Sequence, residues 1–553
     1  MMDYKALAQL LFPNIDKTTD YFEKLYPPRQ LKEGARVSRF SPSPTGYLHF
    51  GGLYAATAAK QNCVVTGGKF YLRIEDTDKK REIDGGIDAI VDGLDAFGIT
   101  RDEGVIDTEN EIGDYGPYIQ SKRAEIYQTF AKSLTEQGLA YPCFCSAEEL
   151  DDIRAAQEND SIKGYWGEYA KCRELTFEQI KANIEAGMEW TLRLKSPGNA
   201  DGKIIIDDLI KGKIEMAENV IDVVLLKANG IPTYHFAHAV DDHLMRTTHV
   251  IRGDEWIASV PLHLQLFKVL GFKPVKYAHF APILKEENGG KRKLSKRKDP
   301  EAAVSYYIEQ GFPKESVQEY IFTILNSNFE DWRRTNKDAD INKFPFNLKK
   351  MSVSGALFDF VKLTDVSKNV ISTMPAEKVF ELSYEWAKKY HPQLASLYEQ
   401  DKDYAKSVLN IDRENKKPRK DISKWSDIPD YISYMYDETF TECYELNGNA
   451  TSELAIKVLE LYKSIVDVSD DKDSWFDKIK SICEPVGCTP NVKEFKQNPD
   501  AFKGHVGDVS TIIRVALTGR INTPDLYSIT SLLGKDRVLD RIERAINFYK
   551  EEK

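Results

Sequence analysis

The stretch Arg39–Lys60, RFSPSPTGYLHFGGLYAATAAK, decides how the chain is read: two prolines, three glycines and one histidine stand between a short apolar run and a helix rich in small residues. Backbone N–H groups at a helix start are ready anion donors, and glycine lets a ligand reach the backbone, so the stretch reads as a phosphate site. The competing reading is an ordinary tight turn, the commoner meaning of a lone glycine-rich loop. Its flanks favour a nucleotide fold. ARVSRF before it and KFYLRIED after it read as short strands around the helical GGLYAATAAKQNCVVTGG, a strand–helix–strand unit of the parallel α/β type.

The whole chain is consistent with that unit being one part of a larger enzyme. At 553 residues, with 42% hydrophobic and 29% charged residues, it is globular in composition and too long for one core. No run of eighteen apolar residues occurs, and MMDYKALAQLLFPNIDKTTDYF mixes acids into its apolar positions, unlike a signal peptide, so a cytoplasmic protein with no membrane segment is expected. Seven cysteines, an odd number in so long a chain, fit a reducing compartment and free thiols. A net charge of -11 argues against bulk nucleic-acid affinity but leaves room for a local basic face.

Residues 1–36 read as a helical extension ending at YPPRQLKEG, where consecutive prolines stop a helix. Residues 37–114 hold the first α/β half. From 115 to 232 charged helices such as SAEELDDIRAAQEND alternate with isolated strands, EWTLRLK and KIIIDDLIKGKIEM, as in an inserted domain. The strand-like DVVLLKANGIPTYHFAHAVDDHL and THVIRGDEW resume the α/β pattern over 233–290 and are expected to return to the same sheet. Residues 291–370 follow as a separate segment, and 371–553 as helical bundles, with periodic apolar positions in AEKVFELSYEWAKKY and SELAIKVLELYKSIV.

KRKLSKRKDP at 291–300 sets Lys291, Arg292, Lys293, Lys296, Arg297 and Lys298 beside a glycine pair, a cationic loop able to neutralise a phosphate chain. A solvated loop is the usual meaning of such a run, but here both signatures occur in order with strands between them. LHFGG resembles the HIGH signature and KLSKR the KMSKS signature of class I aminoacyl-tRNA synthetases. RFSPSPTGYLHFGG, YLRIEDTD, IPTYHFAHAVDDHLM and VIRGDEW are similar to the set carried by glutamyl-tRNA synthetases of the bacterial type. The resemblance runs from about residue 37 to the end. It implies an α/β fold: a Rossmann-like catalytic domain with an inserted acceptor-binding domain, then an all-α anticodon-binding region.

The resemblance also implies an ATP-dependent ligase that activates L-glutamate with Mg2+ as counter-ion and transfers it to tRNA-Glu, as a monomer. His49 and Lys296 would be catalytic. Ser43, Thr45, His49, Gly51, Gly52, Lys293, Ser295 and Lys296 would hold the phosphate side of ATP, and Glu255 and Trp256 the adenosine end. A substrate with two carboxylates and one amine needs at least one arginine fork and one acid. In the family pattern Arg39 and Arg252 lie near the carboxylates, Ser41 and Tyr234 add hydrogen bonds, and Glu75 holds the ammonium group. His238 departs from the asparagine of many relatives, as either a substrate donor or a satisfied neighbour of the pocket. Asp76 and Asp78 read as a capping acidic turn.

Cys143, Cys145 and Cys172 resemble the zinc-binding insertion of some glutamyl-tRNA synthetases. A closed structural site needs a fourth ligand, and Tyr169 and Glu174 are weak substitutes, so packed thiols compete with Zn2+. NLKKMSVSGALFDFVKL resembles the family's stem-contacting segment and IIRVALTGRINTPDLYSITSLLGKDRVLDRI its anticodon-binding helices, with Arg514, Thr518 and Arg520 either RNA contacts or caps and surface charge. The length beyond residue 370 disfavours a shortened relative that modifies a queuosine-containing tRNA, and the helical C-terminus disfavours a glutaminyl enzyme. A relaxed synthetase that also charges tRNA-Gln, and a decayed RNA-binding scaffold, are the alternatives.

Overall fold

The computed structural model describes residues 2–551 except Lys79, Lys296 and Asn449. The chain forms two compact units, Met1–Tyr307 with Gln318–Asp359, and Ile308–Val317 with Phe360–Lys553. Among the described residues no helix is long and apolar enough to cross a membrane.

The first unit opens with two short helices, α1 (Tyr4–Leu11), capped by the Asp3 carboxylate, and α2 (Thr19–Leu25), capped by Thr18. The segment after the prolines is tied down by polar contacts: Tyr26 Oη donates to Gly116 O (2.7 Å), and Arg29 reaches Glu103 (2.5 and 2.9 Å) and Met245 O (3.1 Å). Behind it, β1 (Val37–Phe40), α3 (Phe50–Val64) and β2 (Lys69–Leu72) form the expected parallel unit, with Val37 opposite Lys69. The buried alanines at 55, 56, 58 and 59 let α3 lie close to its neighbours. The sheet continues through α4 (Gly86–Ala96) to parallel β3 (Glu103–Val105) and ends at antiparallel β4 (Glu111–Ile112).

After α5 (Ala124–Glu136), on which α1 and α2 pack, an antiparallel sheet of β5 (Ala140–Cys143), β6 (Thr191–Leu194) and β9 (Val224–Leu226) encloses two helices. These are α6 (Ala147–Ala156) and α7 (Phe177–Glu185), each started by a capping box, Ser146 with Glu149 and Thr176 with Gln179. KIIIDDLIKGKIEM is a hairpin, β7 (Lys203–Asp208) and β8 (Gly212–Ala217), rather than one isolated strand.

The expected strand over the YHFAHAVDDHL stretch is a helix instead, α8 (Tyr234–Leu244), entered through a turn after β9. Its buried Phe236, Ala237, Val240, Asp241 and Leu244 recur at helical spacing, which outweighs the strand-like run DVVLL before it. β10 (His249–Gly253), α9 (Val260–Val269) and β11 (Lys276–Phe280) complete a second parallel pair. β10 lies beside β1 as a separate two-stranded ladder, joined to it by Thr248 N to Val37 O (2.9 Å) and Ser38 Oγ to His249 O (2.9 Å). β12 (Leu284–Glu287) and β13 (Gly290–Lys293) form a hairpin whose turn residues, Asn288 (φ 53°) and Gly289 (φ 77°), have the positive φ of a type I′ turn, and β14 (Leu357–Phe358) pairs with β12.

The second unit is helical. Its core joins Val379, Phe380, Tyr398, Trp425, Leu459, Trp475, Ile512 and Ile542. Buried Arg541 donates to the carbonyls of Tyr434 (2.6 Å) and Leu517 (2.7 Å) and lies over the Phe440 ring. Arg514 is spent on the Pro524 carbonyl (3.0 Å), Thr518 Oγ1 on Arg514 O (2.7 Å) and Arg520 on Asp430 (2.7 Å), so all three serve intramolecular contacts of the capping and surface kind.

Candidate active site

A cavity of about 800 Å³ opens in the first unit at the ends of β1 and β10. That size suits a small-molecule substrate site. It is lined by Arg39, Ser41, Ser43, Thr45, His49, Gly51, Gly52, Glu75, Tyr234, Arg252, Glu255, Trp256, Lys293 and Ser295, so the separate sequence motifs converge on one space. Lys296 lies outside the described residues. His238 does not line the cavity: it is fully buried behind Tyr234, with the two rings stacked 6.0 Å apart.

The proline-rich loop delivers the chain to α3 in extended backbone, and His49 caps that helix, its Nδ1 accepting from Gly52 N (2.9 Å). A neutral imidazole that accepts at Nδ1 carries its proton at Nε2. Side chains at the helix start would press on their neighbours: a Cβ at Gly52 would stand 2.8 Å from Leu48 Cδ1, and one at Gly51 3.0 Å from His49 Nδ1. With no side chain at 51 and 52 a ligand can approach the backbone of the first turn, where Gly52 N itself is taken by His49.

The floor is made of buried charge. Asp242 on α8 receives Arg39 Nε (3.2 Å to each oxygen) and Arg73 Nη1 (2.7 Å), while Arg73 Nη2 reaches Glu75 Oε1 (3.1 Å). Burial alone would raise the Asp242 pKa, but Arg39 and Arg73 overcome it and hold the carboxylate well below its ordinary range. For Glu75 burial wins and its pKa is raised despite Arg73 and Arg39, which suits a carboxylate awaiting a cation. Ser41 Oγ is buried with no hydrogen-bond partner among the described residues, an orphan that a ligand would satisfy.

Beside it, Arg252 donates Nη1 to Tyr234 Oη (3.0 Å), Nη2 to His263 Nδ1 (3.1 Å) and Nε to His279 Nε2 (3.1 Å). His238 supports this wall: Nε2 bonds Tyr277 Oη (2.9 Å), and Nδ1 stands 2.7 Å from Asp242 Oδ2 without hydrogen-bond alignment. Burial pushes its pKa down to about 3, which favours the neutral ring, and the ring stands behind Tyr234 rather than in the cavity lining. Trp256 packs on Tyr234, ring centroids 4.4 Å apart.

Opposite the floor stands the β12–β13 hairpin, which brings Lys293 and Ser295 to the cavity. It is anchored by Asp299, which accepts from Arg292 (2.6 and 2.7 Å), Lys285 (3.1 Å) and Ser295 N (2.9 Å). Asp76 accepts from Ser121 N (2.8 Å) and Asp78 pairs with Arg81, so neither faces the cavity.

Sequence reasoning missed Arg73, Asp242, His263, His279 and Asp208, which hold the lining residues from behind. The signal was the acidic pair Asp241–Asp242 following the apolar positions of α8, because buried carboxylates require partners. Away from the cavity, the sulfurs of Cys143, Cys145 and Cys172 lie within 4.8 Å of one another. The nearby oxygen is the hydroxyl of Tyr165, 3.3 Å from Cys145 Sγ; that of Tyr169 is turned to Asp160 (3.2 Å).

Comparison with known proteins identifies the family of the chain that carries this cavity. The family described as tRNA synthetases class I (E and Q), catalytic domain, matches residues 36–364, and an anticodon binding domain matches 493–546. The chain is 49% identical to a glutamate--tRNA ligase of Acetivibrio thermocellus over 99% of this chain and 100% of that protein, and 48% identical to one of Clostridium perfringens over 98% and 100%. Among solved structures it resembles a glutamate tRNA ligase of Elizabethkingia meningosepticum in complex with its amino acid, with a TM-score of 0.75, 26% identity, and coverage of 93% of this chain and 99% of that one.

Proposed function

This chain belongs to the class I aminoacyl-tRNA synthetases of the glutamate and glutamine group, and we propose that it is a glutamate--tRNA ligase acting as a cytoplasmic monomer. The observation that supports this reading best is the convergence of two buried arginines, Arg39 and Arg252, with one partly buried acid, Glu75, on a cavity shared with a glycine-bearing helix start. Two cations and one anion match the two carboxylates and one ammonium group of glutamate.

Arg39 and Arg252 hold the carboxylates, Tyr234 and Ser41 add hydrogen bonds, and Glu75 takes the ammonium group. ATP, accompanied by Mg2+, lies along Ser43, Thr45, His49 and the backbone of Gly51 and Gly52, with its adenosine end near Glu255 and Trp256. A carboxylate oxygen of glutamate attacks the α-phosphate, the bond to pyrophosphate breaks, and a hydroxyl of the tRNA 3′-terminal ribose then displaces AMP. Such a step needs in-line positioning and cations for the developing charge more than covalent help from the protein. Lys293, Ser295 and Lys296 supply that side.

Residues 115–232 are assigned to the tRNA acceptor end and 371–553 to the anticodon region. The cysteine cluster fits a structural Zn2+, with three thiolates and the Tyr165 hydroxyl as donors; its chemistry would be to pin the loops around β5. Elemental analysis of protein purified without added zinc tests that assignment, and absence of the metal refutes it.

The function is tested by charging tRNA-Glu and tRNA-Gln transcripts with labelled glutamate and labelled glutamine. Glutamate on tRNA-Glu alone is expected. Glutamate on both tRNAs would mark a relaxed enzyme, and glutamine on tRNA-Gln would overturn the pocket assignment.

A further inference from the structure

Arg252 and Arg39 face the same cavity but are held in opposite ways. Arg39 is bound through Nε to a carboxylate, Asp242. Among the described residues Arg252 touches no carboxylate: its three protein acceptors are a phenol and two imidazoles, Tyr234 on α8, His263 on α9 and His279 on β11. Of the five N–H donors of a guanidinium, one on each terminal nitrogen then has no protein acceptor among the described residues. That is the fork a carboxylate takes.

The arrangement works only if both imidazoles turn a lone pair toward Arg252, and the hydrogen bonds behind them set this. Asp208, at the end of β7, accepts His279 Nδ1 (2.6 Å) and also His279 N (3.1 Å), Ile210 N (2.9 Å) and Lys211 N (2.8 Å). A carboxylate so fixed keeps the His279 proton on Nδ1 and leaves Nε2 free to accept from Arg252. On the other side, His263 accepts from Arg252 at Nδ1, so its Nε2 proton points to His235 Nδ1 (2.9 Å).

We propose that Asp208 and His279 are positioning residues for Arg252: Asp208, brought by the β7–β8 hairpin, orients the guanidinium through a neutral imidazole without neutralising its charge. A direct carboxylate partner would compete with the substrate for Arg252; an imidazole relay fixes the fork and leaves the full positive charge for the ligand. The hairpin, which lies in the segment between the two catalytic halves and is bonded to β11 by Leu209 N to Tyr277 O (2.9 Å), is thereby part of the amino-acid pocket.

The inference rests on the glutamate reading of the pocket, so the experiment separates the two. Charging kinetics are measured for the wild type, Arg252→Lys, Asp208→Ala, His279→Gln and the double variant Asp208→Ala/His279→Gln. Asp208→Ala frees His279 to place its proton on Nε2, a donor against a donor, and should raise the glutamate KM about tenfold while the ATP KM and kcat stay within about twofold. In His279→Gln the amide oxygen can accept from Arg252 without Asp208, so adding Asp208→Ala should change the glutamate KM by less than about twofold. Additive losses, or equal losses for glutamate and ATP, would overturn the positioning role. An unchanged glutamate KM in Arg252→Lys would instead overturn the pocket reading. Should Asp208→Ala fail to fold, the same question is put to the wild type with 15N-labelled histidine, the His279 signals being assigned by their loss in His279→Gln. The proton is expected on Nδ1; a proton on Nε2 would contradict the proposal.

Discussion

The cavity has two unlike sides. Its floor consists of charges almost wholly out of water, with Arg73 and Asp242 at 0% exposure and Arg39 at 4%. There each cation is fixed by a buried acceptor. The other side, the β12–β13 hairpin, carries its cations on two short strands nearer to solvent, anchored by Asp299 together with Glu287 and Glu301. Burial makes the floor rigid before any substrate arrives, and rigid charge contributes to choosing what binds. Exposed cations on a loop can instead follow charge as it develops on a phosphate chain, and so act on the rate.

The sharpest way to break this contrast is on the cationic segment that follows the hairpin in sequence. Lys296→Ala should lower the turnover of glutamate activation on the order of 10²- to 10³-fold, while ATP binding, followed by equilibrium dialysis, changes only a few-fold. On the floor the largest effect should be on stability. Asp242→Asn leaves Arg39 and Arg73 buried without their carboxylate and should cost about 3–5 kcal/mol of unfolding free energy at pH 7, measured by denaturant titration. A loss below about 1 kcal/mol would mean that the floor is not held by Asp242.

Acid should expose the same difference. Burial, the first cause in each case, lowers the pKa of His238 to about 3 and of His249 to about 4, and lowers those of His235, His263 and His279 as well. Such rings are neutral when folded but take up a proton in the unfolded chain below about pH 6.5. The stability they contribute is therefore complete above pH 6.5 and is lost as pH falls toward the folded values. Each ring should contribute a slope of roughly 1.4 kcal/mol per pH unit. Unfolding midpoints recorded from pH 7.5 to 5 should decline throughout the acid half of that range, and a flat profile would contradict the neutral-imidazole wall. The smallest effect belongs to the hairpin anchor: Asp299→Ala should slow charging about five- to tenfold with little change in the thermal midpoint.

The sequence showed the lining better than its support. Gly51, Gly52 and His49 were legible because a glycine-bearing helix start has a local pattern, and the basic run at 291–298 because charge runs are visible in one dimension. What lay behind them was not. Asp242 and Arg39 are 203 residues apart, and nothing local marks Asp208 as the partner of His279. α8 was misread as strand because DVVLL is a continuous apolar run, opened by β-branched valines, just before the chain turns into a helix. Tyr169 seemed the nearer donor to Cys172 in sequence, yet the fold turns Tyr165 to the sulfurs, which only tertiary structure decides.

The central claim is that the floor and the Arg252 wall beside it read the negative charge of glutamate, and the direct measurement is kcat/KM for charging with glutamate and with glutamine in the wild type and in Arg252→Gln. The wild type should prefer glutamate on the order of 10⁴-fold, as a site built around a buried charged group does, and Arg252→Gln should erase most of that preference through the glutamate KM. A preference that survives in Arg252→Gln would place the selection elsewhere and contradict the account.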